Sequence, residues 1–228
     1  MNTDLQRLCA WTGVVAMMMF FAGMLVMTFI PPLSPALNAE QVALVYQTHT
    51  TAIRSGAVLV LISSMLAAPF YAVVSIQLRA MEGDKRPVMA YAQLAAGTAN
   101  ILFFILPALL WVVAAFRPER PAEITHALND LAWIITILPW PLTAMQMLVC
   151  GATILKHGAR VPIFPRWLAF YNLWSALLMA PGSLIPFFKT GPFAWDGLFA
   201  FWLPATVFGI WFVVMQVMVL KAIRAEQE

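Results

Sequence analysis

Residues 88–116 read VMAYAQLAAGTANILFFILPALLWVVAAF and contain no Asp, Glu, Lys, Arg or His. An α-helix needs about 20 predominantly apolar residues to cross the hydrocarbon core of a bilayer. This stretch is longer than that, and its most polar side chains, Gln93 and Asn100, are uncharged amides. It therefore predicts a transmembrane helix.

Five further runs are also free of charged residues and histidine, and each is about as long as a bilayer requires. The chain is 62% hydrophobic and only 10% charged, whereas soluble domains carry about 25% charged residues. We therefore predict an all-α, polytopic membrane bundle of six transmembrane helices, forming a single domain over residues 1–228. The predicted spans are about 8–30, 57–76, 88–116, 131–155, 167–188 and 198–220.

The segment of about residues 38–51, between the first two spans, predicts a short helix. Its apolar side chains recur at helical spacing, and Asn38 or Ser34 could serve as its N-cap. The segment is too polar to span a bilayer, so we expect it on the outer surface. Ser55 and Gly56 are expected to bend the chain from this helix into the second span.

The basic residues are distributed unevenly between the two sets of loops. With the N-terminus inside, nine of the 13 Lys and Arg residues fall on the inner side and the other four on the outer side. The excess of Lys and Arg in cytoplasmic loops predicts a multi-pass protein of the plasma (inner) membrane with both termini cytoplasmic. The inner nine are Arg7, Arg79, Lys85, Arg86, Lys156, Arg160, Arg166, Lys221 and Arg224, and the outer four are Arg54, Arg117, Arg120 and Lys189. This bias explains the net charge of +3 without nucleic acid as a partner.

Prolines recur inside the predicted spans. Membrane helices tolerate proline because neighbouring groups satisfy the freed carbonyls. The resulting kinks could shape a cavity or could serve helix packing alone. The prolines in question are Pro69, Pro107, Pro139, Pro141, Pro181, Pro186 and Pro204.

Two amides near mid-span, Asn100 and Gln146, are candidate ligand-binding residues. An unpaired amide in hydrocarbon costs several kcal/mol, so both are expected to face the bundle interior. Polar and small residues also let membrane helices pack closely. Structural packing is therefore the alternative role for these two amides.

Tryptophans of the predicted outer half supply the other candidate ligand-binding residues: Trp111, Trp140 and Trp202. Trp140 and Trp202 lie about a turn deeper than the others and favour an apolar pocket under the outer loops. Trp111, like Trp133 and Trp195, also suits the aromatic belt at a membrane interface.

The charge-free spans exclude several classes of function. Proton relays, voltage sensors and coupled ion pumps place ionisable residues within the membrane, and these spans contain none. Haem is not expected as a cofactor, because the histidines His49, His126 and His157 all stand at span edges. Other cofactors stay open.

Polar chemistry is concentrated on the predicted outer side. Glu123, His126 and Asp130 stand at positions i, i+3 and i+7, which share one face of a helix. They are candidate catalytic acid/base residues. Glu123 and His126, with His49 added from the surface helix, are candidate metal ligands. The alternative is a network of ion pairs that ties the outer loops together.

Three functions therefore compete. The first is a binding or partner subunit for an apolar small molecule, a membrane lipid, another membrane protein or a second copy of the chain. The second is an intramembrane enzyme that acts on a lipid-like substrate through Glu123, His126 and Asp130. The third is a facilitator for an uncharged solute. We favour the first, because the spans offer apolar and aromatic surface without ionisable groups.

Overall fold

A computed structural model describes residues 3–83, 86–157 and 163–225. These ranges contain α-helices and no β-strand, together with a 3-10 segment, Ala180–Phe187, and a π segment, Leu198–Trp202. Two of the basic residues counted above, Lys85 and Arg160, lie outside the described ranges. The helices are α1 (Thr3–Val26), α2 (Ala39–Thr48), α3 (Thr50–Glu82), α4 (Val88–Asn100), α5 (Leu102–Phe116), α6 (Ala122–Ile137), α7 (Trp140–Lys156), α8 (Arg166–Met179) and α9 (Leu203–Ala225).

These elements build six helical spans that are long and apolar enough to cross a membrane, so the predicted all-α bundle is confirmed. Spans I and II are α1 and α3. Span III joins α4 to α5, span IV joins α6 to α7, span V is α8 with the 3-10 segment, and span VI is the π segment with α9. Their bounds are Thr3–Val26, Thr50–Glu82, Val88–Phe116, Ala122–Lys156, Arg166–Phe187 and Leu198–Ala225.

The six spans form a closed ring in chain order. Each span packs against the one before it and the one after it, and α9 of span VI returns to α1 of span I. Short connections favour this arrangement, because they make consecutive helices antiparallel neighbours. Helix α3 also contacts α7 and α9 across the ring.

Helices α1 and α3 meet at a pair of glycines. A Cβ built on Gly56 would lie 2.4 Å from the carbonyl oxygen of Gly23, and one on Gly23 would lie 2.6 Å from the carbonyl oxygen of Gly56. Small residues allow membrane helices to approach in this way. The predicted bend at Ser55 and Gly56 is therefore wrong. The chain turns at His49, and Gly56 lies inside α3, where it serves the helix contact.

One end of the bundle, which we call the capped end, carries α2 together with the loops 27–38, 116–121 and 188–197. The predicted surface helix is present as α2, with Asn38 and Gln41 forming a capping box at its start. Gln47 Nε2 donates to the carbonyl oxygen of Pro118 at 3.1 Å, and Trp195 Nε1 donates to that of Leu33 at 2.7 Å. These bonds join α2 and the loops into one cover.

Candidate functional site

A cavity of about 100 Å³ lies among five of the six spans, toward the capped end. Its wall is aromatic and aliphatic and has no ionisable side chain. The wall residues are Phe20, Phe21, Met24 and Ile30 near and beyond the end of α1; Phe103 and Phe104 from span III; Thr136, Ile137, Trp140 and Thr143 from span IV; Met179 and Gly182 from span V; and Ala200, Phe201, Pro204, Ala205 and Phe208 from span VI.

The cavity lies where four of these spans depart from regular α-helix. Span III is interrupted at Ile101, just before its wall residues, and span IV is interrupted between Ile137 and Trp140. Span V changes to 3-10 geometry directly after Met179, and span VI changes from π to α geometry directly after Trp202. The cavity therefore coincides with the irregular backbone of these four spans.

Proline provides the chemical cause of much of this irregularity. A proline has no N–H, so the carbonyl four residues earlier loses its usual helical donor. In the 3-10 segment, a carbonyl can instead accept from the residue three positions later. Four wall residues lie four positions before a proline: Phe103 before Pro107, Ile137 before Pro141, Gly182 before Pro186 and Ala200 before Pro204.

A buried polar network reaches the cavity through Thr143. The Thr143 hydroxyl donates to Asn100 Oδ1 at 2.8 Å, and Asn100 Nδ2 donates to the Tyr71 hydroxyl at 3.2 Å. Deeper in the bundle, Gln93 Nε2 donates to Gln146 Oε1 at 3.4 Å. Asn100 and Gln146 are 0% and 2% exposed, so their predicted interior position is confirmed. Neither lines the cavity, and Asn100 reaches its wall only through Thr143.

Of the three tryptophans predicted to bind a ligand, the structure brings Trp140 to the cavity. Its indole N–H donates to Ser183 Oγ at 2.8 Å, which fixes the ring between spans IV and V. Trp202 is 38% exposed and packs edge-on against Phe201, with ring centroids 5.4 Å apart. Trp111 is fully buried outside the cavity wall.

Trp111, Trp133 and Trp195 do not form an interfacial belt, so that interpretation is wrong. Trp111 and Trp133 are 0% exposed and Trp195 is 6% exposed. The ring of Phe29 lies 5.4 Å from that of Trp111 and 5.8 Å from that of Trp133, and it also contacts Tyr46 of α2. Trp111 and Trp133 therefore pack with Phe29 and Tyr46 in a buried aromatic cluster, and Trp195 is buried separately, with its indole bonded to Leu33.

The candidate catalytic residues are only partly brought together. His126 Nε2 lies 3.6 Å from Asp130 Oδ1, and the two side chains are 30% and 37% exposed. Glu123 and His49 are exposed. Within the described ranges, no group of three or more His, Cys, Asp or Glu side chains could hold a metal ion.

The His126–Asp130 pair lies beside a buried tyrosine of α2. The Tyr46 hydroxyl donates to Asn129 Oδ1 at 3.1 Å. Burial raises the pKa of Tyr46, and the nearby charge of Asp130 raises it further. Tyr46 is therefore held neutral as a structural hydrogen-bond donor and is poorly suited to act as a base.

Replacing His126 by alanine is expected to lower the free energy of unfolding by no more than about 1 kcal/mol, because partly exposed ion pairs contribute little. Thermal unfolding of the detergent-solubilised protein and of the His126→Ala variant measures this contribution. A much larger loss would show that the pair organises the capped end.

Comparisons with protein-family models, with curated proteins and with solved structures gave no match for this chain. Its class therefore follows from the fold alone: it is a multi-pass helical membrane protein. Within that class, the cavity between interrupted helices is the feature of this chain that offers a site.

Most of the cavity wall was not predicted from the sequence. Phe20, Phe208 and Thr136 of the wall look like ordinary span residues in the sequence. The sequence did carry one signal for the wall, which is the position of the prolines. Four wall residues each precede a proline by four positions.

Proposed function

We propose that this chain is a binding subunit of the membrane that holds an apolar small molecule, or the head of a lipid-like molecule, in the cavity. The observation that carries this proposal is the coincidence of the cavity with the interruptions of four spans. Irregular backbone at membrane depth is tolerated where protein buries it or where it lines a cavity. Such a feature is costly to build for helix packing alone.

The size and opening of the cavity suit part of a lipid-like molecule. An engineered apolar cavity of about 150 Å³ binds benzene, so a cavity of about 100 Å³ takes a group somewhat smaller than benzene. The wall residues Phe20, Phe21, Ala205 and Phe208 are only partly buried. A hydrocarbon tail can therefore leave between α1 and α9 into the bilayer.

The wall chemistry favours holding a molecule over transforming it. No side chain of the wall titrates, whereas general acid–base catalysis needs a positioned group that does. The alternatives remain an enzyme that uses the partly exposed His126–Asp130 pair and a facilitator for an uncharged solute. Turnover of a lipid that is lost with His126→Ala would favour the enzyme, and solute flux through reconstituted vesicles would favour the facilitator.

Filling the cavity tests the proposed function. Ala205→Phe places a ring at the partly buried mouth and is expected to weaken ligand binding about fivefold or more, since overfilling a packed site costs about 1–3 kcal/mol and each 1.4 kcal/mol is about tenfold in affinity. Native mass spectrometry of the protein extracted from its own membrane measures occupancy. Ala68→Phe, at an exposed position of α3, is the matched control. Equal occupancy in both variants would contradict binding in this cavity.

We further propose that the chain lies in the plasma (inner) membrane with the capped end outside and both termini in the cytoplasm, as the excess of basic residues supports. In a background without Cys9 and Cys150, cysteine at Glu119 is expected to react with an impermeant maleimide in intact cells. Cysteine at Ala225 is expected to react only after permeabilisation. The reverse labelling pattern would show that the capped end faces the cytoplasm, which would contradict the proposed orientation.

A further inference from the structure

We infer that the molecule held in the cavity is a hydrogen-bond donor: an apolar compound whose buried end carries a hydroxyl group. This inference rests on the proposed function and adds the chemical class of the ligand. It follows from how the polar groups of the wall are already used within the protein.

The side-chain donors of the wall are all engaged. The Thr136 hydroxyl donates to the carbonyl oxygen of Ala132 at 2.7 Å, and the Thr143 hydroxyl donates to Asn100 Oδ1 at 2.8 Å. The Trp140 indole N–H donates to Ser183 Oγ at 2.8 Å. A hydroxyl has one proton but two lone pairs, so Thr136 and Thr143 can offer a ligand acceptor capacity and no proton.

The backbone of the wall has the same bias. Pro204 is itself a wall residue and has a carbonyl but no N–H. Pro107 and Pro141 remove the helical donors for the carbonyls of Phe103 and Ile137, which are both wall residues. Each proline lacks an N–H but keeps its own carbonyl, so the prolines in and near the wall shift the balance of backbone groups toward acceptors.

The acceptor bias discriminates between ligands of equal size. A hydroxyl placed against Thr136 or Thr143 gains a hydrogen bond, whereas an ether or ketone oxygen finds no side-chain donor on this wall. A buried acceptor without a donor carries the cost of its desolvation. An ammonium group would be a donor too, but the wall has no carboxylate to pair with it, and an unpaired buried charge costs far more.

Three probes of matched length test this inference on the full-length chain in detergent: decanol, its isomer methyl nonyl ether, and undecane. We expect decanol to bind about tenfold more tightly than the ether, since one good hydrogen bond or one orphaned acceptor changes affinity by about that factor. Native mass spectrometry and the shift in thermal midpoint at equal free probe concentration both report binding.

The outcomes separate the two proposals. Tighter binding of decanol supports the inference. Equal binding of all three probes overturns it and leaves the proposed function standing. Tighter binding of the ether also overturns it. Binding of none of the three, in protein from which the native ligand has been removed, overturns the proposed function itself.

A threonine substitution then locates the acceptor. Thr136→Val removes one wall acceptor and is expected to reduce the preference for decanol over the ether about threefold to fivefold, while undecane binding stays unchanged. Thr153→Val is the matched control, because the Thr153 hydroxyl also donates to a carbonyl four residues back, at 2.8 Å, and Thr153 is not a wall residue. The same loss of preference in both variants would contradict a local role for Thr136. If Thr136→Val does not fold, the comparison of the three probes on the unaltered chain still tests whether the ligand is a hydrogen-bond donor.

Discussion

Replacing Gly56 by alanine is expected to destabilise the protein by at least about 2 kcal/mol, although alanine is the better helix former by about 1 kcal/mol. The added Cβ would lie 2.4 Å from the carbonyl oxygen of Gly23 and 2.4 Å from Met27 Cγ. The carbonyl belongs to a helical backbone and cannot rotate away as a side chain can. Helices α1 and α3 must therefore separate, and the surrounding packing is lost with their contact.

Thermal unfolding in detergent, followed by tryptophan fluorescence, measures this loss. Gly209→Ala is the matched control, because a Cβ at Gly209 in α9 would meet its nearest neighbour, the ring of Phe21, at an ordinary 3.4 Å. There the helix propensity of alanine should dominate and stability should stay level or rise. A Gly56→Ala protein as stable as Gly209→Ala would show that the α1–α3 contact is looser than described here.

Replacing Asn100 by leucine is expected to cost about 2–4 kcal/mol of stability, because it leaves the buried Thr143 hydroxyl without its acceptor and removes one of the two side-chain partners of the buried Tyr71 hydroxyl. Asn100 accepts from Thr143 and donates to Tyr71, and leucine can do neither. The change should also alter the cavity. Thr143 would be left with a free proton at the wall, so the preference for an alcohol over the matching ether should shrink.

Gln216→Leu is the matched control for Asn100→Leu. Gln216 is also a buried amide within a span, 3% exposed, but its Oε1 has no hydrogen-bond partner among the described residues. Removing a poorly satisfied polar group can be neutral or stabilising. A large loss in Asn100→Leu beside a small change in Gln216→Leu would establish the network as the cause. Equal effects of the two substitutions would show that the hydrogen bonds of Asn100 make no special contribution to stability.

Under the proposed function, the cavity would let a chain without charge in its spans select its ligand. An aromatic wall would accept any apolar body of the right size, and apolar contact alone discriminates weakly, by about 1–3 kcal/mol for a methylene group. Selectivity would then come from the few polar side chains of the wall, chiefly Thr136 and Thr143. Whether the wall would recognise a donor or an acceptor depends on whether the hydroxyl protons of Thr136 and Thr143 are already donated within the protein, as they are here.

Some features of this protein were readable in the sequence because they are local. A run without charge partitions into hydrocarbon whatever its neighbours are, so the six spans followed from composition and length. The start of α2 followed from the capping side chain of Asn38. The interior position of Asn100 and Gln146 followed from the cost of placing an amide in lipid.

Other features were decided only by the tertiary structure. Hydrocarbon solvates a leucine or phenylalanine as well as a protein interior does, so hydrophobicity does not mark which face of a span turns inward. The rotation of each helix follows from packing, and this packing placed Gly56 against Gly23 and buried Trp111, Trp133 and Trp195 at the capped end. The same packing gathered, around one cavity, wall residues of four spans that each precede a proline by four positions. Their positions were visible in the chain, but their meeting point depended on contacts between residues far apart in sequence.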